Sequence, residues 1–234
     1  MQPQCAEPSD CGSNETCDDM GQCVDVCGRV WGMGNYDYCL DQYGRFATMS
    51  LCGAASDLCI WGGTPIEVAT CSAQSCAGPC DCPPPPGTGD AVVSCGPITG
   101  DAVDDCYLSC GNGETCPDGM ICRPSLADSY CAWPAQPLAM YGDCGAVAAP
   151  CDGGTCATAT NGMSTWSVCV DACPGGIGDC DPAPAGATLG ESCADVIDPP
   201  MGSECNIACN VMGDCPSGMI CITIMDGGTF CMWP

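Results

Sequence analysis

The sequence predicts small disulfide-rich repeats, mostly irregular, with short helices and small β-hairpins in an elongated tandem arrangement. Three observations carry that expectation. Cysteine fills 30 of 234 positions, a density that marks a disulfide scaffold. Leu, Ile, Val and Phe supply only 31 residues against a net charge of −26, a balance that leaves a chain disordered unless it is cross-linked. The cysteine spacings also recur. The closing stretch CNIACNVMGDCPSGMICITIMDGGTFCMWP (205–234) has an earlier copy, CYLSCGNGETCPDGMICRPSLADSYCAWP (106–134), sharing a PxGMIC core and a final Trp-Pro. Fifteen bridges from 30 cysteines, at roughly 2–4 kcal/mol each and less where loops overlap, replace the missing apolar core.

Residues 1–38 are read as an N-terminal four-cysteine knot and linker. Cys5, Cys11, Cys17 and Cys23 are evenly spaced there, and Cys27 follows. The same pattern returns as Cys110, Cys116, Cys122 and Cys131, and again as Cys209, Cys215, Cys221 and Cys231. Cys106 and Cys205 stand just before these copies. The copies close repeat unit 1 (39–134) and repeat unit 2 (135–234). Aligning Cys39/Cys52/Cys59 with Cys131/Cys144/Cys151, and Cys82/Cys95/Cys106 with Cys180/Cys193/Cys205, places the units in register. Cys80 and Cys156 then lack counterparts. Either both bridge one shared cysteine from different places, or they pair with each other.

Regular structure is expected to be sparse. Thr64, Pro65 and Glu67 read as a capping box opening a helix that runs to about Ala77. Ser164–Cys173 is its copy. Asp101–Cys110 and Ser203–Cys209 form a second pair of expected helices, with the i,i+4 cysteines Cys106/Cys110, Cys169/Cys173 and Cys205/Cys209 on one face. Met120–Arg123 and Met219–Ile224 read as strands returning through turns to Tyr130-Cys131 and Phe230-Cys231. CDCPPPPGTG (80–89) and CDPAPAGATLG (180–190) read as rigid, extended loops.

Composition narrows the function classes. Disulfides persist in oxidising compartments, so the chain is expected outside the cell or on its surface. With no Lys or His and only Arg29, Arg45 and Arg123 as cations, nucleic acid is excluded as a partner, because phosphate binding needs Lys or Arg. No apolar run reaches the ~18–20 residues of a membrane span. There is no C-x2-C pair for structural zinc and no C-x-x-C redox motif. Without His or Lys the usual base for a Ser or Cys nucleophile is missing, and no catalytic residue is assigned. No cofactor is expected either. Asp101, Asp104 and Asp105 are the weak calcium candidates, set against a role at a helix N-terminus.

The aromatic residues are weighed between two roles. Trp133 and Trp233 suit covers over a bridge. Alternatively, exposed Trp together with Tyr36, Tyr38, Tyr43 and Tyr141 would form a carbohydrate- or protein-binding surface. Trp133, Phe230, Trp233 and Pro234 are the candidate interface for self-assembly into an extracellular polymer.

The N-terminal CAEPSDCGSNETCDDMGQCV, and DCPSGMIC at 214–221, resemble the short Cys-rich repeats of secreted and surface proteins from myxobacteria and related predatory bacteria. The resemblance implies surface display or binding rather than an activity. The expected function is a non-catalytic, protease-resistant structural or adhesive protein, such as a subunit of a surface fibre or coat. The second expectation is a secreted binding module or protease inhibitor, with IWGGTPIEVAT (60–70) or RPSLADSY (123–130) as its loop and Arg123 as its specificity residue.

Overall fold

The computed structural model describes residues 36–46, 52, 58–100, 102–125, 127–194, 202–224 and 228–234, together with the backbone of 15–17 and 23–25. It divides into two compact units. One comprises Met1–Cys39, Phe46–Gly62 and Val68–Pro134; the other comprises Leu40–Arg45, Gly63–Glu67 and Ala135–Pro234.

Both units are built from one local device, a β-hairpin that carries four cysteines. The third and fourth cysteines stand directly opposite each other across the hairpin, yet they are not bonded to each other. The first cysteine bridges to the third and the second to the fourth. In the first unit β3 (Leu58–Gly62) pairs with β4 (Val68–Ser72), placing Cys59 opposite Cys71, and the bridges are Cys39–Cys59 and Cys52–Cys71. β5 (Val92–Gly96) and β6 (Asp105–Ser109) place Cys95 opposite Cys106, with bridges Cys76–Cys95 and Cys82–Cys106. β7 (Ile121–Pro124) and β8 (Ser129–Pro134) place Cys122 opposite Cys131, with bridges Cys110–Cys122 and Cys116–Cys131.

The second unit repeats the rule three times. β9 (Thr155–Thr160) and β10 (Thr165–Val170) oppose Cys156 and Cys169, bridged as Cys144–Cys156 and Cys151–Cys169. β11 (Glu191–Ala194) and β12 (Glu204–Ile207) oppose Cys193 and Cys205, bridged as Cys173–Cys193 and Cys180–Cys205. β13 (Ile220–Thr223) and β14 (Thr229–Met232) oppose Cys221 and Cys231, bridged as Cys209–Cys221 and Cys215–Cys231. Near the N-terminus, β1 (Glu15–Cys17) and β2 (Cys23–Asp25) oppose Cys17 and Cys23 in the same way.

Packing between hairpins also corresponds. In the first unit the strand order is β3-β4-β8-β6-β5, with β7 beside β8. Its contacts Ala69↔Trp133, Gln74↔Asp105 and Ser109↔Tyr130 are matched in the second unit by the isolated bridges Ser167↔Trp233, Ala172↔Glu204 and Ala208↔Phe230. The bridges set a different register from the one read off the spacings: Cys39 corresponds to Cys144, not to Cys131. Cys156 is the counterpart of Cys59 and bonds Cys144. It bonds neither Cys80 nor a cysteine shared with it, so both pairings expected for Cys80 and Cys156 are excluded.

The expected helices are not formed. Val68–Ser72, Asp105–Ser109, Thr165–Val170 and Glu204–Ile207 are strands. Among the described residues the only helical pieces are three-residue 3-10 turns. The reason is burial on both sides. All five residues of β4 are buried, as are all five of β6 and all four of β12, whereas a surface helix buries a single stripe. The backbone groups of the supposed first helical turn are taken up elsewhere: Ile66 N–H donates to Ala146 O at 2.7 Å and Ala148 N–H to Ile66 O at 2.8 Å. The i,i+4 cysteine pairs mark junctions, where the fourth cysteine of one hairpin precedes the first of the next. An extended strand also puts i and i+4 on one face, so the spacing did not discriminate. The strands read at Met120–Arg123 and Met219–Ile224 are present as β7 and β13 and return to Tyr130-Cys131 and Phe230-Cys231 through β8 and β14.

The three short turns explain the acid that recurs before the second cysteine of a set. Pro79–Asp81, Ile177–Asp179 and Met212–Asp214 each end on an Asp. Its carboxylate accepts the amide four residues back, from Ala77 (2.9 Å), Gly175 (2.6 Å) and Asn210 (2.8 Å) respectively. The turn is thereby closed just before the cysteine that must reach the hairpin. For Asp214 the Thr188 hydroxyl, then the Asn210 and Val211 amides, hold the carboxyl below its ordinary value. Asp10 precedes Cys11 in the same way in sequence and lies outside the described residues.

Candidate functional site

The most specific side-chain constellation in each unit is a lock of one Tyr, one Trp and one Gly. Tyr36 lies in the left-handed region (φ 61°) and is 2% exposed; Tyr141 does the same in the second unit (φ 68°, 1% exposed). A bulky residue there is uncommon and is held by its surroundings. The bend turns the Tyr36 carbonyl toward Trp133, whose Nε1–H donates to it at 2.7 Å. Trp233 Nε1–H donates to Tyr141 O at 2.8 Å. Each phenol then donates into the proline-bearing loop, Tyr36 to Pro83 O and Tyr141 to Asp181 O, both at 3.0 Å. The lock therefore ties the start of the unit, its middle loop and its closing Trp-Pro together.

The PxGMIC motif completes the lock. Met120 N–H donates to Pro117 O at 2.9 Å and Met219 N–H to Pro216 O at 3.0 Å, closing β-turns with Gly119 (φ +88°) and Gly218 (φ +96°) in the left-handed region. A Cβ on Gly119 would lie 2.8 Å from the Trp133 ring, and one on Gly218 would lie 2.7 Å from the Trp233 ring. Glycine is thus required twice over, by backbone angle and by the ring lying on it. Met120 and Met219 point into the cores. Both Trp rings pack with the cystine clusters, the place that a cover over a bridge would take.

Burial pushes the Tyr36 phenol far above its ordinary value. Tyr141 is raised as far, by burial first and then by the charges of Glu191, Asp181 and Asp171. Burial also raises Tyr107 and Tyr130. A phenol whose folded value is raised stabilises the fold fully below the unfolded value, about pH 10, and loses that contribution as pH climbs above it. Ultraviolet titration of the native protein should therefore show these four of six tyrosines ionising late, in step with alkaline unfolding. If all six ionise together near pH 10 while the circular dichroism spectrum stays native, the lock is misdescribed.

The other predicted site residues fall as follows. Cys106, Cys110, Cys116, Cys122, Cys131, Cys205, Cys209, Cys215, Cys221 and Cys231 all sit in the bridges given above. The pairing of Cys5, Cys11, Cys17 and Cys23 lies outside the described side chains. Phe230 (6% exposed) and Trp233 (5%) are buried and Trp133 is half-buried, leaving Pro234 as the exposed member of the expected interface. Tyr36 and Tyr141 likewise leave the expected aromatic surface. Among the described residues the exposed aromatics are instead Phe46 (51%) and Trp61 (48%), with ring centroids 6.0 Å apart. Arg123 is half-buried in mid-strand opposite Tyr130, and IWGGTPIEVAT forms most of the β3–β4 hairpin. Arg45 pairs with Asp41 at 2.7 Å and lies over the rings of Tyr43 and Trp233.

The calcium candidates are Asp101, Asp104 and Asp105. Asp101 lies outside the described residues. Asp104 is exposed, whereas Asp105 is buried and accepts the Thr99 hydroxyl at 3.0 Å. Cysteine sulfurs do gather in threes, for example Cys76, Cys82 and Cys106. They belong to neighbouring disulfides, and an oxidised sulfur is not the thiolate that ligates a metal. Acids lie around Tyr141, whose phenol feels Glu191, Asp181 and Asp171; Asp171 is itself raised by burial, then by Asp181 and Asp152. Sequence reading missed Tyr36 and Tyr141 as lock residues, although both stand as Tyr-x-x-Cys before Cys39 and Cys144; the shifted register hid that match.

The density of bridges fits a secreted or extracellular protein, and no described helix is long and apolar enough to cross a membrane. No protein-family model, no curated protein and no solved structure matches the chain.

Proposed function

We propose that this chain is a non-catalytic, protease-resistant structural or adhesive protein of the extracellular surface, a building unit of a fibre or coat in which the two units are linked in an elongated tandem arrangement. The observation that carries the reading is the repeated lock. In each unit one Tyr and the closing Trp are used to hold cystine-linked hairpins together, where a ligand-binding protein would line a cleft with them. Three further features support it. Bridges limit local opening, the step that exposes a chain to proteases. The absence of Lys and the presence of only three Arg leave trypsin-like enzymes few sites. The resemblance to displayed Cys-rich bacterial repeats points the same way.

Light scattering during size exclusion, joined with negative-stain microscopy, tests the proposal. Concentration-dependent linear assemblies are expected. A strictly monodisperse monomer at high concentration contradicts the fibre reading. The second reading, a ligand-capturing module, is favoured by the exposed Phe46–Trp61 pair; it predicts glycan- or protein-array binding that Trp61→Ala abolishes.

A further inference from the structure

The pairing rule of the six described hairpin modules extends to cysteines beyond them. In all six, the first cysteine bonds the third, the second bonds the fourth, and the third and fourth face each other across a hairpin. The N-terminal set Cys5, Cys11, Cys17 and Cys23 has the spacing of the module beginning at Cys110 up to its third cysteine. Cys17 stands opposite Cys23 in the β1–β2 pair, which makes them third and fourth cysteines. Seven sets of four then leave two of the 30 cysteines, Cys27 and Cys80.

Cys80 is outside the rule in its own module. It lies between the first cysteine, Cys76, and the second, Cys82, in the exposed turn Pro79–Asp81. The corresponding turn of the second unit, Ile177–Asp179, has Gly178 at that place, and a Cβ there would meet nothing within 4 Å. The fold of the turn therefore does not need a cysteine. Nor is any module bridge missing in the first unit: its six match the six of the second. Cys80 is nevertheless disulfide-bonded, so its bond serves something other than its own module.

We propose that Cys80 is the covalent attachment site for the N-terminal segment, through a Cys27–Cys80 disulfide that only the first unit is equipped to make. The bond forms by oxidation of two thiols, with the two electrons passed to the disulfide-forming oxidant of the secretory compartment. Its consequence is that the N-terminal module stays attached after the connecting chain is cut, until a reductant opens this bridge.

The intact protein allows a direct test. Cyanogen bromide in acid cleaves after Met20, Met33, Met49 and Met120 without thiol exchange. The fragments 21–33 and 50–120 should remain joined, and peptic subdigestion with tandem mass spectrometry should find Cys27 linked to Cys80. Cys80 linked to Cys5, Cys11, Cys17 or Cys23 overturns the proposal. In parallel, Cys27→Ser should release one titratable thiol, mapped to Cys80, and Cys27→Ser/Cys80→Ser should release none while keeping the native spectrum and melting behaviour. A thiol appearing at a module cysteine in the single variant, or collapse of the double variant, also overturns it.

Discussion

Trp233→Ala is expected to cost the second unit about 3–5 kcal/mol, the range for removing a buried aromatic side chain, plus part of the about 1–3 kcal/mol for stranding a buried carbonyl, that of Tyr141. The ring is 5% exposed. It covers Gly218, and its indole holds the left-handed bend at Tyr141. Its backbone exchanges two hydrogen bonds with Ser167, at 3.0 and 2.9 Å; these survive the substitution only if the chain end stays in place. Trp233→Phe keeps most of the burial and loses the N–H, so its cost should be near the lower figure for one hydrogen bond, about 1 kcal/mol. Trp133 is only half-buried, and Trp133→Ala should cost less than its counterpart. Guanidinium unfolding with all bridges intact measures the series. A loss below about 1 kcal/mol for Trp233→Ala, no more than one net hydrogen bond, would mean that the second unit is held without its lock.

The double variant Cys180→Ala/Cys205→Ala should lose about 2–5 kcal/mol and more than Cys144→Ala/Cys156→Ala. Loop length does not predict this. The separations are 25 and 12 residues, and the logarithmic dependence makes the chain-entropy difference less than about 1 kcal/mol. Surroundings decide instead. Cys205 is fully buried in the second unit's core beside Ile207 and Val170, so its loss adds a cavity to the lost constraint. Cys144 is half-buried and Cys156 exposed. Equal losses, or the reverse order, would show that the cystines act only as chain constraints and not as core. Double replacements are needed because a single one leaves a thiol able to attack the interlaced partner bridge.

What the sequence revealed depended on hairpin length. The sets beginning at Cys110 and Cys209 were legible because their first three cysteines are separated by five intervening residues in both. The sets beginning at Cys39, Cys76, Cys144 and Cys173 follow the same rule with unequal intervals, since a hairpin arm or loop can lengthen without altering which cysteines face each other. The rule lives in cross-strand register, which spacing alone does not display. The helices were misread because Thr64, Pro65 and Glu67 satisfy a local capping pattern. Tertiary pairing of Ile66 with Ala146 and Ala148, and two-sided burial of Val68–Ser72, overrode it. The acid before the second cysteine was visible as a pattern, but its reason, the amide four residues back, needed the turn geometry. The lock was half-legible: the Trp-Pro ends and the PxG turn repeat in sequence, whereas the bend at Tyr36 and Tyr141 has no signature beyond Tyr-x-x-Cys.

The central claim is that cystines stand where other chains of this length have an apolar core. Its most direct test is complete reduction and alkylation at neutral pH without denaturant, followed by far-ultraviolet circular dichroism and small-angle scattering. The account predicts loss of the strand signal, no cooperative thermal transition, and a radius of gyration rising toward the about 50 Å of an unfolded chain of this length. A reduced, alkylated chain that keeps the native spectrum and a sharp melting transition would contradict it.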